Sequence, residues 1–331
     1  MSENHLLEYI EIKDFKCFKN FKAEGFKRVN LIGGKNNVGK TALMEACYLG
    51  INTESEKNFF HSLLVLELNR NPLKEFEIIE DTNSFEFKFD NSIIKINNKF
   101  CSLKLDIFND NMEQSLYYIP SKNYDNGILE LKEFYKGKNK PLEIKNNSFI
   151  SQTSLRQNNI IDFIDDIKLL KKWKELNSLL LSNFNIEEID VIKDKVLLLK
   201  EDNHISLSEF GDGLKQFILI ILSLYLNKSK IIFLDEIENG IHYSLFDNLW
   251  KIILTISKEQ NVQVFATTHS KECIESYARV SKKLEESKEI DKDDICFIEL
   301  GRNKKNELKS IVYNYEMIQS EIEQNHEIRG W

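Results

Sequence analysis

A glycine-rich segment, Gly34-Lys35-Asn36-Asn37-Val38-Gly39-Lys40-Thr41, constrains this 331-residue chain more than any other feature. It fits the pattern G-x-x-x-x-G-K-[ST], in which backbone N–H groups turn inward around phosphate oxygens. An apolar strand is predicted before it (residues 29–32) and a helix after it (residues 41–50), so the positive end of the helix dipole faces the same anion. The sequence predicts a nucleotide phosphate site formed by Gly34, Asn36, Asn37, Gly39, Lys40, Thr41 and Ala42, with the Thr41 hydroxyl as a ligand of Mg²⁺.

Two carboxylates follow a second apolar strand. Residues 231–234 (IIFL) form a run typical of a strand buried on both faces of a parallel sheet, and Asp235 and Glu236 follow directly. Ligands of parallel sheets bind at the carboxyl ends of the strands. We therefore expect Asp235 to hold Mg²⁺ and Glu236 to orient or deprotonate an attacking water molecule.

A histidine follows a third strand. Residues 262–266 (VQVFA) lead into Thr267-Thr268-His269-Ser270. A single histidine is more often structural than catalytic. Because His269 occupies the same kind of position as the other two groups, the three strand ends together predict one site at one edge of a sheet.

Composition excludes several classes of protein. Net charge is −8, which argues against a generally basic, DNA-coating protein but leaves a local basic patch open. The longest apolar stretch, residues 217–226, is far shorter than a membrane span, and no signal peptide is visible at the N-terminus. Five scattered cysteines without a CxxC pair indicate free thiols in a reducing cytoplasm.

The chain divides into three predicted segments: residues 1–75 with the glycine-rich loop, residues 76–200, and residues 201–331 with the acidic and histidine strand ends. Further helices are predicted over residues 55–68 and 159–184, and strand-like runs fill residues 76–150. The helix predicted over residues 159–184 carries four lysines between its apolar positions: Lys168, Lys171, Lys172 and Lys174. They could contact nucleic acid, although an ordinary solvated helix face explains them better.

The motifs resemble those of the ABC-type ATPase superfamily, and within it the SMC/RecF-like and overcoming-lysogenization-defect (OLD) ATPases. The resemblance covers about residues 8–50 and 200–331: IEIKDFKCFKNF resembles the opening strand, GGKNNVGKTALMEA Walker A, LSEFGDGLKQFILII a variant signature motif, FLDEIENGIH Walker B with its D-loop, and ATTHS the switch-histidine motif. It implies an α/β P-loop NTPase of ABC-ATPase type, with a mixed-sheet core, flanking helices and an inserted β-rich and helical arm.

The resemblance also implies that a second subunit completes the ATP site. In that subunit, Ser208, Gly211 and Gly213 of the signature motif would contact the γ-phosphate. The same residues are also explained by the start of a helix that has a serine cap and a glycine turn. Lys16 stands where relatives often carry an arginine near the α-phosphate. Asn239 and His242 are either D-loop contacts across the dimer or residues of a surface turn. Three glutamines are candidates for the Q-loop: Gln114, Gln152 and Gln157.

Three functions stay open at this stage. The first is a cytoplasmic ATP-dependent switch that dimerises head to tail and controls a separate effector protein, in the manner of OLD-like ATPases of anti-phage systems that lack a nuclease domain. Asp291-Lys292-Asp293 has the spacing of a Toprim metal motif, but it precedes its strand and is read as a solvated turn. The second function is a RecF-like DNA-repair ATPase, and the third is a scaffold that binds ATP with little turnover.

Overall fold

The computed structural model describes residues 7–51, 62, 66, 84–89, 92–99, 102–109, 112–118, 148–150, 157–226 and 230–324. The strands of these residues are, in chain order, β1 (Tyr9–Phe15), β2 (Phe18–Glu24), β3 (Val29–Gly34), β4 (Ser84–Phe89), β5 (Ser92–Lys99), β6 (Ser102–Asn109), β7 (Met112–Tyr118), β8 (Ser148–Ile150), β9 (Glu188–Ile192), β10 (Lys195–Lys200), β11 (Asn203–Ser206), β12 (Ile231–Leu234), β13 (Gln263–Thr267), β14 (Ile295–Arg302) and β15 (Leu308–Tyr313).

The α-helices of the described residues are α1 (Lys40–Ile51), α2 (Gln157–Leu169), α3 (Trp173–Phe184), α4 (Asp212–Leu226), α5 (Phe246–Glu259), α6 (Lys271–Glu286) and α7 (Tyr315–Glu323). Short 3₁₀ helices span Leu207–Glu209, Tyr243–Leu245 and Lys292–Asp294. None of the helices in these ranges is long and apolar enough to cross a membrane. The helix predicted over residues 55–68 lies outside the described residues except for Ser62 and Leu66, which are both helical.

The chain forms two compact units: residues 1–25 with 41–146, and residues 26–40 with 147–331. The first contains a six-stranded antiparallel sheet in the order β2-β1-β4-β5-β6-β7. Four of the strand-like runs predicted over residues 76–150 are strands of this sheet, and β4 pairs with the N-terminal strand β1. Each unit combines segments distant in sequence, whereas the division into residues 1–75, 76–200 and 201–331 follows the sequence order and stays a prediction.

The second unit is built on a six-stranded mixed sheet in the order β15-β14-β3-β13-β12-β8. All neighbours are parallel except β14 and β15, which form an antiparallel pair. Every residue of β3, β12 and β13 is buried, as the continuous apolar runs predict. Since β3, β13 and β12 are parallel neighbours, their carboxyl ends lie side by side at one edge of the sheet.

Helices of the second unit cover the sheet with apolar side chains. Helix α4 is apolar along most of its length, and α5 and α6 pack against each other where the Trp250 and Tyr277 rings approach to 4.8 Å between centroids. A separate three-stranded antiparallel sheet has the order β11-β10-β9. The single helix predicted over residues 159–184 is instead two helices, because Lys171 adopts a left-handed conformation (φ 59°) that ends α2 and redirects the chain.

The break between α2 and α3 at Lys171 allows the apolar faces of both helices to pack into one core. Ile164 and Ile167 of α2 are fully buried, as are Leu176 and Leu180 of α3. Lysines at this corner lie on the solvent side, where Lys168 pairs with Asp190 and Lys172 with Glu175. Ion pairs at the surface agree with the solvated-face interpretation of these lysines.

Candidate functional site

The glycine-rich loop follows β3, and its backbone carbonyl oxygens bind the side chain of Lys40 at the end of the loop. Gly34 has φ 149°, and a Cβ atom there would lie 2.6 Å from the Leu300 carbonyl oxygen of β14, so only glycine fits. The Lys40 ammonium donates hydrogen bonds to the carbonyl oxygens of Gly34 (2.8 Å) and Lys35 (3.0 Å). Asn36 and Asn37 are exposed on the loop, and Gly39 has φ 106°. The loop therefore wraps around the Lys40 ammonium group at the end of β3.

Lys40 is 8% exposed and faces three carboxylates. Burial lowers the pKa of its ammonium, while the charges of Glu238, Glu236 and Asp235 act in the opposite direction. The acidic residues follow β12 and the glycine-rich loop follows β3, and both strands are parallel neighbours of β13. Their charged side chains therefore form one cluster at this edge of the sheet. The joint action of Lys40, Asp235 and Glu236 on one nucleotide stays a prediction.

A threonine that sequence reasoning did not single out connects the two strand ends. The Thr267 hydroxyl, at the end of β13, donates to Asp235 Oδ1 (2.7 Å) and accepts from the Glu236 backbone N–H (2.8 Å). The Thr267 carbonyl also accepts from the Ile237 N–H. Because Thr267 is fully buried, these bonds fix the loop after β12 against the end of β13.

Glu236 lies in a tight turn and has φ 49°, an uncommon conformation for a residue other than glycine. Asn239 donates through its side-chain amide to Glu236 Oε2 and through its backbone N–H to the Glu236 carbonyl. From helix α4, Gln216 Nε2 approaches the carbonyl oxygens of Glu236 and Ile237 at 3.4 Å each. The Glu236 carboxylate is therefore held in a defined orientation by its own loop.

His269 follows β13 and contacts an acidic residue other than Glu236. Its Nδ1 atom lies 2.9 Å from Glu238 Oε1, and its backbone N–H donates to the same oxygen (2.8 Å). The histidine side chain is 45% exposed, whereas that of Glu238 is 9% exposed. His269 thus lies at the solvent-accessible side of the cluster, and its ring contacts the buried carboxylate of Glu238.

The signature segment precedes α4. Ser208 is exposed and shares a hydrogen bond with Ser206, and Gly211 is exposed with no atom within 4 Å of an added Cβ. Gly213, in contrast, is buried, and its Cβ would lie 1.9 Å from the Gly240 carbonyl oxygen. Packing against the D-loop of the same chain thus gives one structural reason for glycine at position 213.

Several predicted residues belong to the other unit or to segments that are not described. Lys16 forms an ion pair with the buried Glu45 of α1, and Thr41 and Ala42 lie in the first turn of that helix. Of the Q-loop candidates, Gln152 lies outside the described residues, while only the backbone is described for Gln114 and Gln157. The phosphate contacts of Lys16, Thr41 and Ala42 and the identity of the Q-loop glutamine stay predictions.

Asp235 offers a ligand that suits magnesium. Its carboxylate, at the end of β12, is a hard oxygen donor of the kind that Mg²⁺ prefers. The hydroxyl of Thr41 as a second ligand stays a prediction. In the described ranges no group of three or more His, Cys, Asp or Glu residues could hold a metal ion. A magnesium site does not require one, since Mg²⁺ is commonly bound by one or two protein oxygens together with substrate phosphates.

Known proteins resemble this chain in sequence and in fold. Residues 29–275, more than half of the chain, match the family AAA_21, described as "AAA domain, putative AbiEii toxin, Type IV TA system". A Helicobacter pylori protein named ATP/GTP phosphatase is 27% identical over 338 residues, which cover 84% of this chain and 89% of that protein.

Among solved structures, an SMC head bound to the C-winged helix domain of ScpA is similar with a TM-score of 0.52 and 12% identity, covering 94% of this chain and 98% of that chain. An SMC head domain from Thermotoga maritima has a TM-score of 0.46 and 14% identity, covering 92% and 98%. At these identities the likeness concerns the fold. The ABC-type, SMC head-like fold predicted from the motifs is confirmed, while the narrower OLD assignment stays a prediction.

Proposed function

Since the chain belongs to the AAA_21 family of ATPase domains, we propose that it binds ATP with Mg²⁺ and hydrolyses it where β3, β13 and β12 end. One observation carries the proposal: the Thr267 hydroxyl joins the Asp235 carboxylate to the Glu236 backbone, beside the strand that delivers Lys40. The relative named ATP/GTP phosphatase, which aligns over most of both chains, supports the same activity.

The residues have distinct roles in this proposal. Lys40 leaves the carbonyl oxygens of its own loop and binds the β- and γ-phosphates, while Gly34, Asn36, Asn37, Gly39 and Ala42 line the phosphates and Lys16 lies near the α-phosphate. Thr41 and Asp235 would hold Mg²⁺, which when bound would neutralise charge developing on the phosphates. Glu236, oriented by Asn239, accepts a proton from the attacking water, and His269 contacts the γ-phosphate.

A second copy of the chain completes the site in this proposal. The exposed Ser208 and Gly211 support it, because both are accessible to a nucleotide held by another subunit. Gly213 acts beside them by positioning the start of α4 on the D-loop. Closing around ATP and opening after hydrolysis would make the dimer a cytoplasmic switch for a separate effector protein. The family description, which names a type IV TA system, supports a defence role.

Hydrolysis and binding by three purified variants test the proposal. Lys40→Ala should abolish both ATP binding and turnover. Glu236→Gln should lower kcat at least about 100-fold while ATP binding is kept, because only the proton acceptor is lost. Lys304→Ala, on an exposed turn, is the charge-matched control and should behave like the wild-type chain. Wild-type levels of hydrolysis by Lys40→Ala would refute the assignment of the site.

The same variants separate the alternative functions. Glu236→Gln with ATP should sediment as a dimer and retain an effector in pull-down experiments. ATP-dependent DNA binding with a steep salt dependence would indicate the RecF-like function instead. Tight ATP binding by the wild-type chain without measurable turnover would indicate a scaffold.

A further inference from the structure

Two of the three carboxylates in the loop after β12, those of Glu236 and Glu238, have separate partners. Glu236 accepts a hydrogen bond from Asn239, whereas Glu238 Oε1 accepts from the His269 backbone and lies 2.9 Å from the His269 ring. Carboxylate oxygens only accept hydrogen bonds, so Nδ1 of His269 must carry the proton in this contact. The Nε2 atom of the ring then faces away from Glu238, since the two ring nitrogens lie on opposite sides.

The backbone around His269 is fixed on both sides. The Thr268 N–H donates to the Ile32 carbonyl of β3 (3.0 Å), and the Ser270 N–H donates to the Thr268 hydroxyl (3.1 Å). Ser270 also caps α6 by accepting from the Cys273 N–H (3.1 Å). With its backbone held in this way, the orientation of the exposed His269 ring depends on its contact with Glu238.

The Glu238 carboxylate is unusual among the acidic groups of this cluster. Its side chain is more than nine-tenths buried, and its Oε2 atom is fully buried with no hydrogen-bond donor among the described residues. Leaving a buried carboxylate oxygen without a donor is unfavourable, and such groups concentrate at functional sites. A role confined to stability would be served better by a neutral side chain at this position.

We infer that Glu238 is a positioning residue for ATP hydrolysis, which holds His269 through Nδ1 and directs Nε2 to the γ-phosphate. The inference rests on the proposed function and assigns a role to a residue that the motifs do not single out. With Nδ1 engaged by Glu238, Nε2 is the ring nitrogen that stays available to the nucleotide. Glu238 itself touches neither nucleotide nor water in this assignment.

A double-mutant cycle on kcat tests the inference, with the variants Glu238→Ala, His269→Ala and the combination. Glu238→Ala should lower kcat about 10- to 100-fold, the effect expected from loss of a hydrogen bond to a charged group. The KM for ATP should change less than about threefold, because the contact acts in the transition state. The combined variant should be no slower than His269→Ala alone. Glu286→Ala, which removes an exposed carboxylate at the end of α6, is the control and should keep the wild-type kcat.

A second readout is independent of activity. In ¹⁵N spectra of the histidine rings, assigned with His269→Ala, the wild-type His269 should carry its proton on Nδ1, and Glu238→Ala should move it toward Nε2. If thermal unfolding shows that Glu238→Ala is not folded, Glu238→Met takes its place in both experiments, because methionine keeps the side-chain volume but offers no oxygen acceptor to the His269 ring.

The outcomes separate this inference from the proposed function. Additive losses in the cycle, or an unchanged kcat in a folded Glu238 variant, would overturn the positioning role while Lys40→Ala still abolished turnover. A wild-type chain that does not hydrolyse ATP would instead remove the proposed function and the inference together.

Discussion

The Thr267 hydroxyl donates a 2.7 Å hydrogen bond to Asp235, joining the ends of the neighbouring parallel strands β12 and β13 beside the end of β3. The same oxygen accepts from the Glu236 N–H, so one side chain fixes both residues that follow β12. Neither residue could keep its present position if the register between β12 and β13 shifted, because both bonds cross that pair of strands.

Thr267→Val should therefore reduce turnover and stability together. The valine keeps the shape and β-branching but removes the donor to Asp235 and the acceptor for the Glu236 N–H, so two hydrogen bonds of partly buried groups are lost. We expect a loss of about 1–3 kcal/mol in the free energy of unfolding and a lower kcat at saturating ATP and magnesium. Urea denaturation and steady-state kinetics measure the two effects. Thr255→Val, on the surface of α5, should change neither, and an unaltered kcat in Thr267→Val would contradict the role of this bond.

Gly213 and Gly211 offer a matched pair of substitutions. An alanine at 213 would place its Cβ 1.9 Å from the Gly240 carbonyl oxygen, whereas an alanine at 211 would meet no atom within 4 Å. Overpacking against backbone typically lowers stability by about 1–3 kcal/mol, so Gly213→Ala should unfold at a clearly lower temperature and Gly211→Ala should not. Calorimetry provides the measurement. Equal melting temperatures for the two variants would show that the D-loop does not pack on the start of α4 as described.

Asp247 predicts a pH-dependent contribution to stability. The Arg279 guanidinium and, to a smaller degree, the Ser276 hydroxyl hold the pKa of this carboxyl below its ordinary value of 3.8. A lowered pKa stabilises the fold above the unfolded-state value, and the contribution is lost as the pH falls through the folded-state value.

Asp247→Asn should accordingly lower the free energy of unfolding at pH 7 by no more than about 1 kcal/mol, since the pair is partly exposed to solvent. The difference from the wild-type chain should shrink toward zero below pH 3.8. Urea titrations at pH 7, 5 and 3 measure this difference in the free energy of unfolding. Asp202→Asn, in an exposed turn, is the control. A difference that grows as the pH falls would reverse the predicted sign.

Three cysteines of the described residues should resist alkylation in the folded protein. Burial raises the pKa of the Cys296 thiol to about 12 and raises those of Cys47 and Cys273 further. Since the thiolate is the reactive form, native labelling by iodoacetamide at pH 8 should be at least about 100-fold slower than in urea at all three sites. Peptide mass spectrometry resolves each residue, and Cys17, which is partly exposed, should label faster. Rapid native labelling of Cys296 would indicate that β14 opens readily.

Sequence patterns alone predicted those features of the protein that depend on residues adjacent in the chain. The strands before the glycine-rich loop, before Asp235 and before His269 can each be recognised within about ten residues, because strand burial is encoded in neighbouring side chains. The resemblance of these segments, the opening strand and the signature segment to ABC-type ATPases then predicted the fold, which is confirmed. The break at Lys171 could not, since it follows from how two apolar helix faces enter one core.

Only the tertiary structure decided which residues support these groups. Thr267 is an ordinary threonine in the sequence, and it becomes important because the pairing of β12 with β13 places its hydroxyl beside Asp235. The pairing of His269 with Glu238 rather than Glu236, and the contact between Gly213 and Gly240, likewise join residues about 30 positions apart. Sequence periodicity carries no information on such contacts, because strand register and helix packing are set by the whole core and not by the few residues around each position.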